Sequence, residues 1–169
     1  MATEIERKYL VVDDSWRSAV SESIVMAQGY LNDLQAVESG AMKTSIRARI
    51  EGDVAKLNIK SGERGVERQE FEYGIPVGDA HALLSLAVGG LIEKTRHIIP
   101  AGNGLKWEVD EFAGDNAGLI VAEIELPSAD HAVEMPSWAG REVTDDIRFY
   151  NLSLADYPYK DWSAADKEL

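Results

Sequence analysis

Seven separate segments of this chain alternate, residue by residue, between an apolar side chain and a charged one. Successive side chains of a β-strand point to opposite faces, so a period of two predicts strands with one apolar and one ionic face. Glu4, Glu6 and Lys8 open the series, and Arg47 and Arg49 alternate with Ile46, Ala48 and Ile50. Lys56, Asn58 and Lys60 follow, then Arg68, Glu70 and Glu72 against Phe71, Tyr73 and Ile75. Lys94 and Arg96 alternate with the weaker face of Thr95, His97 and Ile99. Lys106, Glu108 and Asp110 flank Trp107 and Val109, while Glu123 and Glu125 flank Ile124. Like charges recur two residues apart, roughly 7 Å by the rise of a strand. At an effective dielectric of about 20 such a pair repels by about 2 kcal/mol. Opposite charge, from a divalent metal or a set of Lys and Arg, is therefore expected between them. An ordinary solvated sheet face would use Ser, Thr, Asn and Gln, and these faces hardly do.

The coarse map is mostly strand: 3–11, 24–32, 43–51, 54–61, 67–74, 92–99, 105–112 and 119–126. Gly52-Asp53, the Gly-containing stretch 61–65 and Ala101-Gly102-Asn103-Gly104 supply the turns between them. Helices are predicted at 13–22 (N-cap Asp13 or Asp14), 79–88 (Asp79), 128–135 (Ser128, after Pro127) and 151–157. No repeat or linker divides the chain, so 1–169 is read as one domain. The fold class is α+β: an eight-stranded closed antiparallel β-barrel with helices packed outside, closure removing exposed strand edges. Two orientations satisfy the pattern. Apolar faces inward give a greasy-cored barrel with a salt-bridged exterior. Apolar faces outward, beneath the helices, give a charged interior that must be wet, because isolated buried ions cost several kcal/mol each.

The chain has 169 residues, 45% of them hydrophobic, enough for one domain with a sizeable core. No apolar run approaches the roughly 18 residues of a membrane span, and the first strand starts at once, so no signal peptide is expected. Cysteine is absent, which excludes disulfides, thiolate metal sites and a Cys nucleophile, and a cytoplasmic location is expected. The formal net charge of −13 argues against nucleic acid and anionic membranes, though not against a small polyanion in a locally basic cavity.

Glu4-Ile5-Glu6-Arg7-Lys8 is similar to the ExExK signature of the CYTH superfamily, the triphosphate tunnel metalloenzymes. Further segments resemble that family in order: Gln28-Gly29-Tyr30-Leu31, Arg47-x-Arg49, Ile59-Lys60-Ser61-Gly62, Arg68 to Glu72, Glu93-Lys94-Thr95-Arg96, Trp107 to Asp110 and Ala122 to Glu125. Asp146 to Asn151 continues the likeness, which is greatest to the short bacterial members. The resemblance implies a closed tunnel with charged walls that binds a linear triphosphate with Mg²⁺ or Mn²⁺, two ions in all. One ion would bridge the phosphates and the other activate the attacking water. It implies metal ligands in Glu4, Glu6, Glu123 and Glu125, hard oxygen donors suited to such ions. Arg47 and Arg49 would fork around phosphate oxygens, with Lys60 and Arg96 as further substrate contacts. Lys8, Lys94 and Tyr30 would act catalytically, Tyr30 holding Lys8 or donating to a phosphate oxygen; a packed tyrosine at the barrel mouth is the plainer alternative. Glu70, Glu72, Glu108 and Asp110 are ambiguous among ligating metal, orienting water and holding the Lys and Arg side chains.

The expected activity is metal-dependent hydrolysis of inorganic tripolyphosphate to pyrophosphate and phosphate, which asks for positioning and charge rather than a covalent partner. Alternatives are a CYTH-type adenylyl cyclase, a nucleoside or thiamine triphosphatase, or a polyphosphate-binding module without turnover. His81, His97 and His131 show no ligand or triad spacing, with His97 expected on the face opposite the charges, and no Ser with a partner His and acid is legible. Arg141, Asp145 and Arg148 carry no assigned chemistry, and the oligomeric state is not legible.

Overall fold

The computed structural model describes residues 5–61 and 69–167. Glu4 and Arg68 lie outside that range, as does most of the expected 61–65 loop. The fold is α+β with antiparallel pairing and few, short helices. The chain divides into two compact units, residues 25–93 and residues 1–24 with 94–169.

In the 25–93 unit four strands run in the order β5-β4-β3-β2. They are β2 (Glu22–Tyr30, entering from the other unit), β3 (Thr44–Glu51), β4 (Val54–Ser61) and β5 (Glu70–Ile75). The β3–β4 turn is the expected one, with Gly52 at φ 57°, a conformation that costs glycine little. Their apolar faces bury Ala48, Ile50 and Ala55 beneath Ala80 and Leu84 of helix α2 (Val77–Leu84), α1 being a single turn at Leu34–Glu38. Gly29 is what lets this layer close: a Cβ there would stand 2.7 Å from Leu91 Cδ2 and 2.9 Å from Ala87 Cβ.

In the other unit the order is β6-β7-β8-β1-β9, formed by β1 (Ile5–Val11), β6 (Ile92–Gly102, entering from the 25–93 unit), β7 (Leu105–Ala113), β8 (Ile120–Leu126) and β9 (Ala139–Glu142). Tyr9, Trp107, Val109, Ala122, Ile124 and Leu126 gather on one face with Trp16 and Trp138. Trp16 is fully buried, so the 15–19 segment is drawn onto the sheet as a 3-10 turn. That corrects the helix expected at 13–22: Asp13 accepts from the Ser15 N–H at 2.8 Å, and β2 already starts at Glu22.

Two further expectations are overturned. The segment 128–135 is not a helix: after one turn, closed by the His131 N–H on the Ser128 carbonyl, it runs extended, with Val133 packed on the core and Pro136 ahead. Among the described residues the strands number nine, not eight, because β9 pairs with β1 (Tyr9 opposite Glu142, Val11 opposite Ala139). The C-terminal helix appears as α3 (Asn151–Asp156), and α4 (Ala164–Lys167) was not expected. Neither unit by itself is a closed barrel. No helix among the described residues is long and apolar enough to cross a membrane. In both units the apolar faces lie under the covering segments, so the ionic faces are the opposite ones.

Candidate functional site

Residues directly opposite each other on antiparallel strands share a face, so the register assembles an ionic wall in each unit. On the β1-β8-β7 wall, Glu6 stands opposite Glu125, Lys8 opposite Glu123, and Glu123 opposite Glu108. Lys94 and Arg96 of β6 join them through Asp110, whose carboxylate accepts from Lys94 Nζ at 2.6 Å, Arg96 Nε at 2.8 Å and Arg96 Nη2 at 2.9 Å. Arg96 also reaches Glu108 at 2.7 Å and Glu123 at 3.7 Å, and Lys106 reaches Glu108 at 3.6 Å. Asp110 is only 2% exposed. Burial pushes its carboxyl up, but Arg96 and Lys94 outweigh this and hold it below the usual carboxylate range. Burial of Arg96 opposes its charge in the same way, and Asp110 more than reverses that.

Lys8 is buried and held three ways: 3.0 Å from Glu123, donating to the Phe149 carbonyl at 3.3 Å, and 3.9 Å over the Tyr150 ring. The ionic face is thus not uniformly wet. Lys8, Lys94 and Asp110 are buried as paired ions, and Phe112 and Val121 are buried at the Asp110 end of the same face. Toward the other end the wall is acid-rich. Glu6 and Glu125 make no ion pair among the described residues, and both are exposed. Although the residue as a whole is exposed, partial burial of its carboxyl and then the Glu123 charge push Glu6 up to about 7, against the pull of Lys8 and Arg96.

The β2-β3-β4-β5 wall has the opposite bias. Gln28 stands opposite Arg49, and Arg49 opposite Lys56. Tyr30, Arg47, Asn58 and Glu72 form a second row, and Lys60 faces Glu70. Lys56 Nζ lies 2.9 Å from Glu72, while Asn58 Nδ2 donates to Glu72 at 2.8 Å and Glu70 at 3.1 Å. The Lys56 contact, then Asn58, holds the Glu72 carboxyl below its ordinary range. Lys60 is 3.8 Å from Glu70 and Arg49 Nη2 is 3.9 Å from Glu72. Arg47 has no ion-pair partner among the described residues. Buried Nε atoms of Arg47 and Arg49, and Nε2 of Gln28, lack an acceptor; Arg49 Nε lies 2.8 Å from Glu51 but out of line for a hydrogen bond. Buried donors without acceptors are rare and costly, and an anion would satisfy them.

The geometry therefore brings Glu6, Lys8, Lys94, Arg96, Glu123 and Glu125 to one wall. Tyr30, Arg47, Arg49 and Lys60 come to the other, and Glu4 stays outside the described residues. Of the ambiguous acids, Asp110 and Glu108 grip Lys94, Arg96 and Lys106, and Glu70 and Glu72 grip Lys56, Lys60 and Asn58. Tyr150 and the Phe149 carbonyl were not expected at Lys8. His97 lies on the apolar face as expected, 4.9 Å from the Trp16 ring. It does have a partner serine and acid there: Ser23 Oγ is 2.7 Å from Nδ1, and Glu111 is 3.3 Å from Nε2. Glu111 is also clamped by Arg17, which with His97 holds its carboxyl low.

A family model for the CYTH domain matches residues 2–157. The chain belongs to the CYTH family. A relative from Acetivibrio thermocellus, called an inorganic triphosphatase, is 39% identical over 163 residues, covering 96% of this chain and 99% of its own length. Another of that name, from Nitrosomonas europaea, is 35% identical over 155 residues, 90% of this chain and 97% of its own. A crystal structure of an inorganic triphosphatase superposes with a TM-score of 0.73 at 33% identity, covering 92% of this chain and 95% of that one. Membership of the CYTH family implies a divalent metal in general terms. The donors here suit one: Glu6, Glu123 and Glu125 are hard oxygen ligands on one face, and loss of solvation with the neighbouring Glu123 charge raises the Glu6 carboxyl. Among the described residues no three acidic or histidine side chains already converge on one point.

Proposed function

We propose that this chain hydrolyses inorganic tripolyphosphate to pyrophosphate and phosphate, with Mg²⁺ or Mn²⁺, two ions, held by Glu4, Glu6, Glu123 and Glu125. The observation that carries the reading is the division of labour between the walls. One presents buried Arg47 and Arg49 donors in need of an anion, and the other presents surplus carboxylates in need of a cation. Residues 1–169 act as one tunnel domain in the cytoplasm, its strands closing as a barrel around the substrate, a small polyanion.

Arg47 and Arg49 fork around phosphate oxygens, and Lys60 adds charge beside them. Asp110 fixes Lys94 and Arg96 so that both cations are aimed before substrate arrives, which removes reorganisation from the reaction step. Lys8 neutralises a terminal phosphate, with Tyr30 holding Lys8 or donating to the same oxygen. Divalent ions, when bound, supply charge on the phosphate oxygens and a more acidic water. Tripolyphosphate, ATP and thiamine triphosphate, each incubated with Mg²⁺ or Mn²⁺ and followed for phosphate and cyclic AMP, test the reading. Phosphate released fastest from tripolyphosphate is expected. Cyclic AMP as the main product, or binding without release, would replace it with the cyclase or the binding module.

A further inference from the structure

The segment from β9 to α3 closes over Lys8 from backbone to ammonium. The Val143 N–H donates to the Lys8 carbonyl at 2.7 Å, and the Lys8 N–H donates to Thr144 Oγ1 at 3.1 Å. At the other end of the side chain, Nζ donates to the Phe149 carbonyl and lies 3.9 Å from the centre of the Tyr150 ring. The strap is itself fixed. Tyr150 Oη donates to the Thr144 carbonyl at 2.6 Å, Arg148 grips Asp146 at 2.6 Å, and Phe149, only 1% exposed, packs against Trp162. Among the described residues, Glu123 is the one carboxylate in ion-pair contact with Lys8.

We propose that Tyr150 is a positioning residue: its π face, on a strap tied at Thr144 and Arg148, sets where the Lys8 ammonium stands and so how well Lys8 meets substrate. A carboxylate alone would leave a flexible four-carbon stem several arrangements. A ring face and a carbonyl beside it leave one, and a cation over a ring in a desolvated place is held tightly without adding negative charge. A second carboxylate in the ring's place would raise the repulsion already felt at Glu6. The proposal rests on the tripolyphosphatase reading for its kinetic consequence, not for the geometry.

The experiment has two arms. In protein carrying ¹³C-labelled lysine, the Lys8 side-chain protons should resonate upfield through the ring current of residue 150, unchanged in Tyr150→Phe and lost in Tyr150→Leu. This arm needs no substrate, so it judges the contact even if tripolyphosphate proves not to be hydrolysed. In the kinetic arm, Tyr150→Leu should lower kcat about 30-fold with KM within about twofold, and Tyr150→Phe should restore kcat to within about threefold. Di- and trifluorinated phenylalanine at 150 keep the shape while draining the ring face, and kcat should fall with each fluorine. In a Lys8→Ala background the Tyr150→Leu effect should shrink below about threefold, because residues acting through one another are not additive. An unshifted Lys8 signal, a flat fluorine series, or full multiplication of the two losses would overturn the proposal.

Discussion

The two ionic walls are built from the same alternating pattern and solve opposite problems. On β6, β7, β8 and β1 the cations are engaged: Asp110 fixes Lys94 and Arg96, and Glu123 with the C-terminal strap fixes Lys8. Among the described residues, what that wall has to spare is carboxylate, in Glu6 and Glu125. On β2 to β5 the acids are engaged, Glu70 and Glu72 being held by Lys56, Lys60 and Asn58. What is spare there, among the described residues, is guanidinium, in Arg47 and the Nε of Arg49. A protein that positions a polyanion and its counter-cations needs both kinds of surplus.

The sharpest way to break the comparison is to empty the cationic wall. Arg47→Ala with Arg49→Ala should lower kcat/KM for tripolyphosphate about 1000-fold, since two forked charge-assisted contacts are lost. Mn²⁺ binding without substrate, read by calorimetry, should stay within about threefold. Asp110→Asn comes next and separates buried from exposed pairing. Halving a buried ion cluster costs about 3–5 kcal/mol, or a Tm drop of about 6–20 °C, whereas Glu72→Gln on the exposed pair should cost under about 1 kcal/mol. Equal losses in the two melts would erase the distinction between the walls.

Glu6→Gln with Glu125→Gln should cut metal-dependent hydrolysis on the order of 100-fold while leaving Tm unchanged or raised, because surplus like charge is removed. The smallest effect is the pH dependence. With its carboxyl raised from 4.5 to about 7, Glu6 binds its proton more tightly in the folded protein than in the unfolded chain. Its contribution to stability is therefore present at low pH and is lost as pH rises from about 4.5 through 7. Metal binding runs the other way. Between pH 7 and 6 the apparent Mn²⁺ affinity should weaken by up to about tenfold, and Glu6→Gln should flatten that slope.

Strands were legible because alternation is a local signal, and eight of the nine appear near their expected positions. β9 was not legible: Ala139-Gly140-Arg141-Glu142 is four residues without alternation, and it is strand only because β1 offers it an edge. Gly140 permits that approach, since a Cβ there would stand 2.5 Å from Val12 Cγ1. Helix signals failed where tertiary packing decided, with Trp16 drawing 15–19 into a tight turn and Pro136 keeping the preceding segment extended. Most candidate site residues could be named from charge spacing and family resemblance. Tyr150 could not, because its meeting with Lys8 joins positions some 140 residues apart and leaves no mark on the local pattern. Ser23, His97 and Glu111 were missed for the same reason: three different strands bring them together.

The most direct test is a crystal structure with a non-hydrolysable imidotriphosphate and Mn²⁺, the ions located by anomalous scattering. The account predicts Mn²⁺ peaks within bonding distance of Glu6, Glu123 or Glu125, and phosphate oxygens hydrogen-bonded to Arg47 and Arg49. Phosphates lying over the Ile124 and Trp107 face, or manganese bound by Glu70 and Glu72 instead, would contradict it.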